Sequence, residues 1–413
     1  MNYCQRCCYP ANAKPTIAFD DQGVCSGCRL HDARKQIDWK ERETWFREIM
    51  EKYKAEGKKR GNIYDCVIAV SGGKDSFYQA WLAKQYGMNP LLVTFNHTFN
   101  TKVGIYNLQT MVKSLNLDLL RFTPNEESVR KISRHMVKTV GDCDWHSHAG
   151  IMTFPIRVAV QYNTPLIIWG EHGFADQTGM FNQNDMVEFT KKTRREHSMR
   201  GFEPEDLVGH EGLAEKDLGP YHYPSDEEIE RVGLRGIYIS NYFFWNGKAQ
   251  AEFLIKNFNF RTAAQKDRTY NIYDKIDGFH QCGTHDYLKY LKFGYGRATD
   301  DASMDIRHGR MTREEGIEMV QKYDHVRPTD LDVYLKWVGL SEAELMGVVD
   351  TMRDQKIWQK DAAHKWQITD SIGNHINDPG AQTAKLPLDG DRGGYTANLP
   401  PYYWERDDQY IIL

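Results

Sequence analysis

The fold of this chain is decided by one stretch of sequence, YDCVIAVSGGKDSFYQAWLAKQYG, at residues 64–87. Its apolar start is rich in branched side chains, which predicts a buried parallel strand. Its second half has apolar residues at helical spacing and ends in Gly87, which predicts a helix closed by a glycine. A strand, a glycine loop and a helix in this order can cradle a phosphate, because loop N–H groups and a helix amino terminus attract anions. The candidate phosphate-binding residues are Ser71, Gly72, Gly73, Lys74, Asp75 and Ser76.

The loop SGGKDS is not a Walker A sequence, since the first glycine of that motif is missing, and it is not a G-x-G-x-x-G fingerprint. It resembles the S-G-G-x-D-S signature of the PP-loop ATP pyrophosphatase superfamily. The resemblance implies that ATP is split into AMP and pyrophosphate while a substrate oxygen is adenylated. It also implies that the loop holds the pyrophosphate portion and that Asp75 helps to place Mg2+. Lys74 and Asp75 are therefore catalytic candidates.

Apolar runs and amphipathic segments alternate after the loop. Strands are predicted at residues 90–97, 117–123, 164–172 and 235–243. The alternation predicts an α/β fold with a doubly wound parallel sheet. Residues 173–232 interrupt it, which predicts an insertion that forms a lid or a partner surface. Its basic run KKTRREHSMR is either a solvated helix face or a guide for an anionic substrate.

Ligands of such sheets bind outside the carboxyl ends of the strands, which places two strand ends beside the loop. By resemblance to the superfamily, Phe95 and Asn96 are candidates for contacting adenine, and Gly170 is a further candidate for nucleotide binding. Glu171 is a candidate Mg2+ ligand or acid–base group.

The segment GDCDWHSHAGI, residues 141–151, gathers a cysteine, a tryptophan and two histidines before a predicted helix. One interpretation is a packed helix entry, with Trp145 buried and the histidines hydrogen-bonded. The other makes the segment a wall of an acceptor-sugar site, where Trp145 stacks on the sugar and His146 or His148 accepts a proton.

Two C-x-x-C pairs near the amino terminus have the spacing of a four-thiolate zinc ribbon over residues 1–35. The segment between the pairs predicts a hairpin that returns the second pair to the first. A closed Zn2+ site that folds this short segment is one interpretation, and an iron–sulfur or redox role is the other. Cys8 is out of register and is not expected to be a ligand. The predicted ligands are Cys4, Cys7, Cys25 and Cys28.

The chain has 413 residues, a net charge of −4 and a pI near 6.4. This balance excludes a globally basic nucleic-acid binder. No apolar run reaches the roughly 18 residues of a membrane span, and the first residues lack the apolar stretch of a secretion signal. We therefore expect a cytoplasmic protein without a membrane or nucleic-acid partner.

Residues 286–316 concentrate basic side chains among glycines and aromatics. They predict a local positive patch that either neutralises a pyrophosphate leaving group or grips an acidic sugar or its nucleotide carrier. Lys292 is the candidate for the first role, and Arg297, Arg307 and Arg310 are candidates for substrate binding. The predicted domains are an ATP-binding unit over 60–260, a helical module over 261–384 and a tail over 385–413.

Several long motifs resemble the N-acetyl sugar amidotransferase family of surface-polysaccharide and flagellin-sugar biosynthesis. The resemblance implies conversion of an acetamido group into an acetamidino group on a pseudaminic, legionaminic or diacetamido-uronic acid. The amide oxygen would attack the α-phosphate of ATP to give an imidoyl adenylate, and ammonia would then displace AMP. The motifs are the cysteine ribbon, YDCVIAVSGGKDSFYQ, NPLLVTFNH, GDCDWHSHAGI, PLIIWGE and YLKYLKFGYGRATDDASMDIRHGRMTREEG.

The sequence lacks the marks of a glutaminase, because residue 2 is Asn and no cysteine lies in a G-x-C-x-G motif. We therefore expect a separate glutaminase subunit that supplies ammonia, with a cyclase-like channel subunit as a further partner by the family resemblance. One alternative is a tRNA sulfurtransferase of the PP-loop class, which would need Cys143 as its catalytic cysteine and a basic surface. Another is a non-catalytic nucleotide-binding scaffold of a glutaminase complex.

Overall fold

The computed structural model describes residues 1–265 and 267–381, together with the backbone of residues 411–412. In this part of the chain, no helix is both long enough and apolar enough to cross a bilayer. The strands are β1 (Cys66–Ala69), β2 (Pro90–Phe95), β3 (Phe99–Asn100), β4 (Leu119–Phe122), β5 (Leu166–Trp169), β6 (Arg235–Tyr238), β7 (Trp358–Lys360), β8 (Trp366–Ile368) and β9 (Ile411–Ile412).

Five of these strands form one parallel sheet in the order β4-β2-β1-β5-β6. Strand β1 pairs with β2 in the register Val67 to Leu91 and with β5 in the register Val67 to Ile167. The chain thus winds outward from β1 through β2 to β4, and then returns to the other side of β1 to add β5 and β6. The predicted α/β fold with a parallel sheet is confirmed.

The helices follow the sequence signals for their ends. Glycines in the left-handed conformation close the second and fifth helices, and capping boxes begin three others, at residues 225–228, 312–315 and 341–344. The helices are α1 (Ser26–Arg34), α2 (Trp39–Arg60), α3 (Lys74–Gln85), α4 (Lys102–Leu115), α5 (Glu126–Val140), α6 (Trp145–Ile151), α7 (Phe154–Gln161), α8 (Gly173–Thr178), α9 (Lys191–Thr193), α10 (Glu215–Leu218), α11 (Asp226–Val232), α12 (Gly247–Phe258), α13 (Phe279–Phe293), α14 (Arg297–Arg307), α15 (Arg313–Tyr323), α16 (Asp330–Val338) and α17 (Glu342–Asp350).

The two faces of the sheet are buried by different helices, because successive side chains of a strand point in opposite directions. Ile68 and Leu92 pack in one core with residues of α3, α4 and α12. Val67 and Leu91 pack in another core with residues of α7. The sheet is therefore covered on both sides, and its carboxyl edge is left to form a site.

The interrupting segment, residues 173–232, consists of short helical turns, and much of it is packed. Met199, Leu207 and Leu218 lie in a core with Phe95. Within the basic run, Arg194 is fully buried and makes two hydrogen bonds to Glu203 at 3.1 and 3.0 Å. This arginine holds the insertion together, because a buried guanidinium needs a charged partner.

The amino-terminal ribbon lies against the carboxy-terminal helices. The Tyr9 hydroxyl donates to Asp300 at 2.9 Å, and the Cys8 N–H donates to the Ser303 hydroxyl at 3.2 Å. The ribbon and α14 share one apolar core. The predicted tail falls outside the described residues, except that the backbone of β9 pairs antiparallel with β3.

Candidate active site

A cavity of about 370 Å3 opens at the carboxyl edge of the sheet, where β1 lies between β2 and β5. The strand order reverses at this point, and open α/β sheets bind their ligands there. The cavity is lined by Ala69, Val70, Ser71, Gly73, Asp75, Ser76, Gln79, Val93, Phe95, His97, Asp144, Ser147, His148, Ile151, Met152, Pro155, Trp169, Gly170, Glu171, Asp274, Lys275, Asp277 and Gly278.

The glycine loop forms the floor of this cavity. Gly72 has φ +107°, and a Cβ atom there would lie 2.3 Å from the Gly104 carbonyl oxygen. Gly73 caps the amino terminus of α3, and its N–H donates to the Ser71 hydroxyl at 3.3 Å. The Ser76 hydroxyl donates to the Gly73 carbonyl at 3.1 Å. Gly73 lines the cavity without a side chain, whereas Gly72 does not line it and lets the loop pack against the backbone of Gly104.

A segment that the sequence analysis did not single out, residues 274–278, lies over the loop. Backbone contacts hold it there: the Thr101 hydroxyl donates to the Ile276 carbonyl at 2.7 Å, and the Thr101 N–H donates to the Asp277 carbonyl at 3.2 Å. A Cβ atom on Gly73 would lie 3.3 Å from Asp277 Oδ1. The sequence signal is the string YDKIDG, which holds three charged residues and ends in a glycine, but only the tertiary contacts place it here.

Charged groups of opposite sign meet where the segment crosses the loop. Lys74 Nζ donates to Asp75 Oδ2 at 2.7 Å and to Asp274 Oδ1 at 3.0 Å. Burial alone would lower the pKa of Lys74, but Asp274 and Asp75 hold it well above its usual value. Lys275 lies beside Asp274, with its Nζ at 3.3 Å from Asp274 Oδ2, and it lines the cavity. The cavity therefore has a cation supplied by the overlying segment.

Glu171 follows β5 and lines the cavity next to Gly170, as the sequence placed it. Burial, and then the nearby Asp75 and Asp176, raise the pKa of Glu171 to about 8. Asp75 Oδ1 is buried and, among the described residues, has no hydrogen-bond partner. A cation would fit between this oxygen and a phosphate, because carboxylate oxygens are the ligands that Mg2+ prefers in proteins.

The far wall of the cavity contains Phe95 and His148. Phe95 packs its ring closely over Gly150, where a Cβ atom would collide with it. Asn96 is buried and does not line the cavity, because its Oδ1 accepts from the Thr98 N–H at 3.1 Å and from Asn100 Nδ2 at 2.7 Å. The expected adenine contact by Asn96 is therefore corrected to a role in shaping the turn after β2.

Trp145 and His146 lie behind this wall. Trp145 is fully buried, and its indole N–H donates to the Met199 carbonyl at 2.9 Å. His146 is also fully buried, and burial lowers its pKa to about 4. The expected sugar stacking by Trp145 and proton transfer by His146 are corrected, since neither residue lines the cavity. The packed helix entry describes these two residues, and His148 alone of the three reaches the cavity.

The predicted basic patch is also corrected, because its side chains are buried and paired. Lys292 Nζ donates to the Gly141 carbonyl at 2.8 Å. Arg297 pairs with Asp286 at 2.8 Å and Asp300 at 3.0 Å. Carboxylates from the same stretch compensate the charge of Arg297, as a buried charge requires, whereas Lys292 is held by a backbone carbonyl. The main cavity is not lined by Lys292 or Arg297.

Arg307 and Arg310 face other parts of the molecule. Arg307 donates to the Asp176 carbonyl at 3.0 Å and to the Gln177 carbonyl at 2.7 Å. Arg310 pairs with Asp305 at 2.8 Å and lines a small adjoining cavity of about 70 Å3, which shares Glu171 and Lys275 with the main one.

The four cysteine sulfurs lie within 4.8 Å of one another and are buried. Backbone N–H groups of Arg6, Cys7 and Cys25 point at the Cys4 sulfur at 3.3 to 3.4 Å. Four thiolates with such N–H donors fit a tetrahedral ion such as Zn2+. Cys8 is buried outside this cluster. Cys143 is fully buried and does not line the cavity, so it does not present the exposed thiol that a sulfurtransferase would need.

A family model matches part of the chain. Residues 257–372 match the model of the LPS biosynthesis protein WbpG-like C-terminal domain. An uncharacterized protein, MJ1599, of Methanocaldococcus jannaschii is 29% identical over 118 residues, which are 28% of this chain and 41% of that protein. The chain thus spans less than half the length of this relative.

Two solved structures are similar at a low level. The NH3-dependent NAD synthetase from Campylobacter jejuni has a TM-score of 0.27 and 13% identity, over 48% of this chain and 92% of that one. The NMN synthetase from Francisella tularensis has a TM-score of 0.26 and 14% identity, over 50% of this chain and 93% of that one. The match to the WbpG-like domain begins at residue 257 and therefore includes Asp274 and Lys275, which line the cavity. Residues 257–372 are therefore similar to the C-terminal domain of WbpG-like LPS biosynthesis proteins, and in the chain they follow a parallel sheet that carries the SGGKDS loop.

Proposed function

We propose that this chain is an ATP-dependent amidotransferase that replaces the oxygen of a sugar N-acetyl group by ammonia, releasing AMP and pyrophosphate. One observation carries the proposal. The cavity over the PP-loop is completed by Asp274, Lys275 and Asp277, which belong to the WbpG-like domain. A nucleotide-binding loop and a domain similar to that of LPS biosynthesis proteins share one cavity in this proposal, so the activated substrate is a sugar of LPS biosynthesis.

The first step requires an electrophile, because an amide carbonyl reacts poorly with ammonia. The amide oxygen attacks the α-phosphate of ATP, the bond to the pyrophosphate breaks, and an imidoyl adenylate forms. The loop N–H groups and the amino terminus of α3 stabilise the phosphate charge, and Lys275 neutralises the departing pyrophosphate. Mg2+ would be held by Asp75, and it would supply further charge neutralisation at the phosphates.

In the second step, ammonia adds to the imidoyl carbon, and AMP leaves with the oxygen that was in the acetamido group. The added nitrogen must lose a proton before AMP can leave, because an ammonium group would otherwise be expelled again in its place. Glu171 suits this role, because a carboxylate with a pKa near 8 is a far better base than an ordinary one. His148 and Asp144, whose ring nitrogen and carboxylate oxygen lie 4.0 Å apart, form the wall that faces the sugar.

We propose that ammonia comes from a separate glutaminase subunit, delivered through a channel subunit. Cys8, Cys66 and Cys143 are each buried, so none offers the exposed nucleophile of a glutaminase. The purified chain should use ammonium and fail with glutamine, and efficient use of glutamine by the chain alone would overturn this part of the proposal.

The cysteine ribbon, in this proposal, binds Zn2+ as a closed structural site. The substrate is a sugar of the pseudaminic, legionaminic or diacetamido-uronic acid class, free or nucleotide-linked. The reaction takes place in the cytoplasm.

Mass spectrometry tests the function. The chain is incubated with ATP, Mg2+, ammonium and each candidate sugar, and the product should be lighter by the difference between an oxygen atom and an NH group. One AMP and one pyrophosphate should form per product. If no candidate sugar changes mass while ATP is bound, or if ADP is the nucleotide product, the proposal is wrong.

A further inference from the structure

The helix that carries the second cysteine pair extends from the metal site toward the active site. Helix α1 starts immediately after Cys25, whose side chain caps it by accepting the Cys28 N–H. It ends nine residues later at Arg34, which is only 4% exposed. The two ends of one rigid element thus lie at the cysteine cluster and near the loop that follows β5.

Arg34 contacts two side chains in the segment that follows this loop, Asp176 and Gln183. Its guanidinium forms a buried ion pair with Asp176 of α8, and these side chains are 5% and 2% exposed. Its Nε donates to Gln183 Oε1 at 2.8 Å. Since both partners are buried, the cost of leaving either one unpaired holds the arginine in place.

The second contact leads to the backbone on both sides of Glu171. Gln183 Nε2 donates to the Ser240 carbonyl at 2.7 Å. The Ser240 N–H donates to the Gly170 carbonyl at 3.2 Å, and the His172 N–H donates to the Ser240 hydroxyl at 3.0 Å. The residues before and after Glu171 are therefore tied to one serine, and that serine is tied through Gln183 to Arg34.

Close packing between α1 and α8 adds a steric contact. A Cβ atom on Gly27 would lie 2.8 Å from the Gln177 carbonyl and 2.3 Å from Arg307 Nη2. The Ser26 hydroxyl donates to the Thr178 carbonyl. The absence of a side chain at Gly27 is thus what lets the ribbon approach the segment after Glu171.

We propose that helix α1 is a positioning element for the active site, and that Arg34 is the positioning residue through which the cysteine ribbon fixes the Glu171 loop. The ribbon then does more than fold its own segment. The catalytic part of this inference rests on the proposed function, since it takes Glu171 as the proton acceptor, whereas the coupling of the loop to the ribbon does not.

Two variants test the coupling by different means, each with a matched control. Arg34→Met removes both contacts, and Arg29→Met changes an exposed arginine of the same helix that lies 3.8 Å from its acidic partner. Gly27→Ala inserts a methyl group between α8 and the Arg307 guanidinium, which itself donates to the Asp176 and Gln177 carbonyls of α8. Gly347→Ala makes the same change in α17, where nothing lies within 4 Å.

Amide hydrogen exchange at residues 170–178 is the first measurement, with metal content determined in parallel. We expect Arg34→Met and Gly27→Ala to speed exchange in this segment about tenfold while keeping the affinity for α,β-methylene ATP, and Arg34→Met, which lies outside the cysteine cluster, to keep the bound metal as well. The controls should match the wild type. Unchanged exchange in both test variants would overturn the inference, and if Arg34→Met does not fold, Gly27→Ala decides it.

Steady-state kinetics is the second measurement, since a merely structural role would not separate its constants. We expect kcat to fall about tenfold, with KM for ATP little changed, because the loop carries a proton acceptor and not the phosphate cradle. A rise in KM with kcat unchanged would overturn the positioning role. If the wild type makes no amidine but exchange still responds to Arg34→Met, the proposed function fails and the coupling stands.

Discussion

Gly72 is the residue on which the phosphate cradle depends most directly. Its positive φ and its approach to the Gly104 carbonyl both exclude a side chain. Gly72→Ala should therefore weaken binding of α,β-methylene ATP about tenfold or more, measured by calorimetry. Gly61→Ala is the matched control, because Gly61 has φ +73° and nothing within 4 Å of its Cβ position. Equal affinity in the two variants would show that the close approach is unimportant.

Glu171 should give the enzyme a pH dependence in the neutral to alkaline range. Its pKa is raised to about 8, so the carboxyl is protonated below that pH and becomes a base above it. Activity should rise with pH through about 8, and Glu171→Gln should be slow and lack this limb. Rates are compared at a fixed concentration of unprotonated ammonia, so that titration of the substrate does not mimic the effect. A wild-type limb that persists in Glu171→Gln would contradict the assignment.

At the scale of helices and strands, the sequence predicted the elements whose formation depends on residues close together in the chain. The branched run before the loop and the helix after it depend on neighbours in the chain, and both appear in the structure. The burial of Trp145 depends on a partner distant in sequence, Met199, so its residue type could not show it. Arg297 pairs instead with two carboxylates of its own stretch, Asp286 and Asp300, which a count of basic residues leaves out. Lys275 was missed for the same reason as the burial of Trp145.

The cysteine ribbon offers a test at this scale. Cys25→Ser removes a sulfur from the four-thiolate cluster and should release the bound metal, measured by elemental analysis of the purified protein. It should also destabilise the contact with α14, lowering the melting temperature. Cys8→Ser is the control, because Cys8 is a buried cysteine of the same ribbon that lies outside the cluster. Equal metal content in both variants would contradict the ligand set.

For the whole molecule, the central point is that two parts of the chain distant in sequence make one cavity. Lys275 comes from the region that is similar to the WbpG-like C-terminal domain, and the loop comes from the sheet, so neither part is expected to work without the other. Lys275→Met should reduce turnover at least about tenfold, because the pyrophosphate loses a positive partner. Lys336→Met, an exposed lysine of the same domain, should be unaffected. Comparable turnover in the two variants would remove Lys275 from the mechanism.

The structure changes the interpretation of the net charge, because it shows where the basic side chains of residues 286–316 lie. Arg297 and Arg310 of the stretch 286–316 are paired with carboxylates of the same stretch, and Lys292 and Arg307 donate to backbone carbonyls, so these four do not form the expected positive surface. Lys275 lies in the cavity instead, where a positive group suits a small anionic ligand better than a nucleic acid.

Transfer of the acetamido oxygen tests the account most directly. A candidate sugar carrying a heavy-oxygen label in its N-acetyl carbonyl is incubated with the chain, ATP, Mg2+ and ammonium, and the products are examined by mass spectrometry. The account predicts that the label leaves the sugar and appears in AMP, because that oxygen attacks the α-phosphate. Label that remains in the sugar while AMP forms, or label that appears in inorganic phosphate, would contradict it.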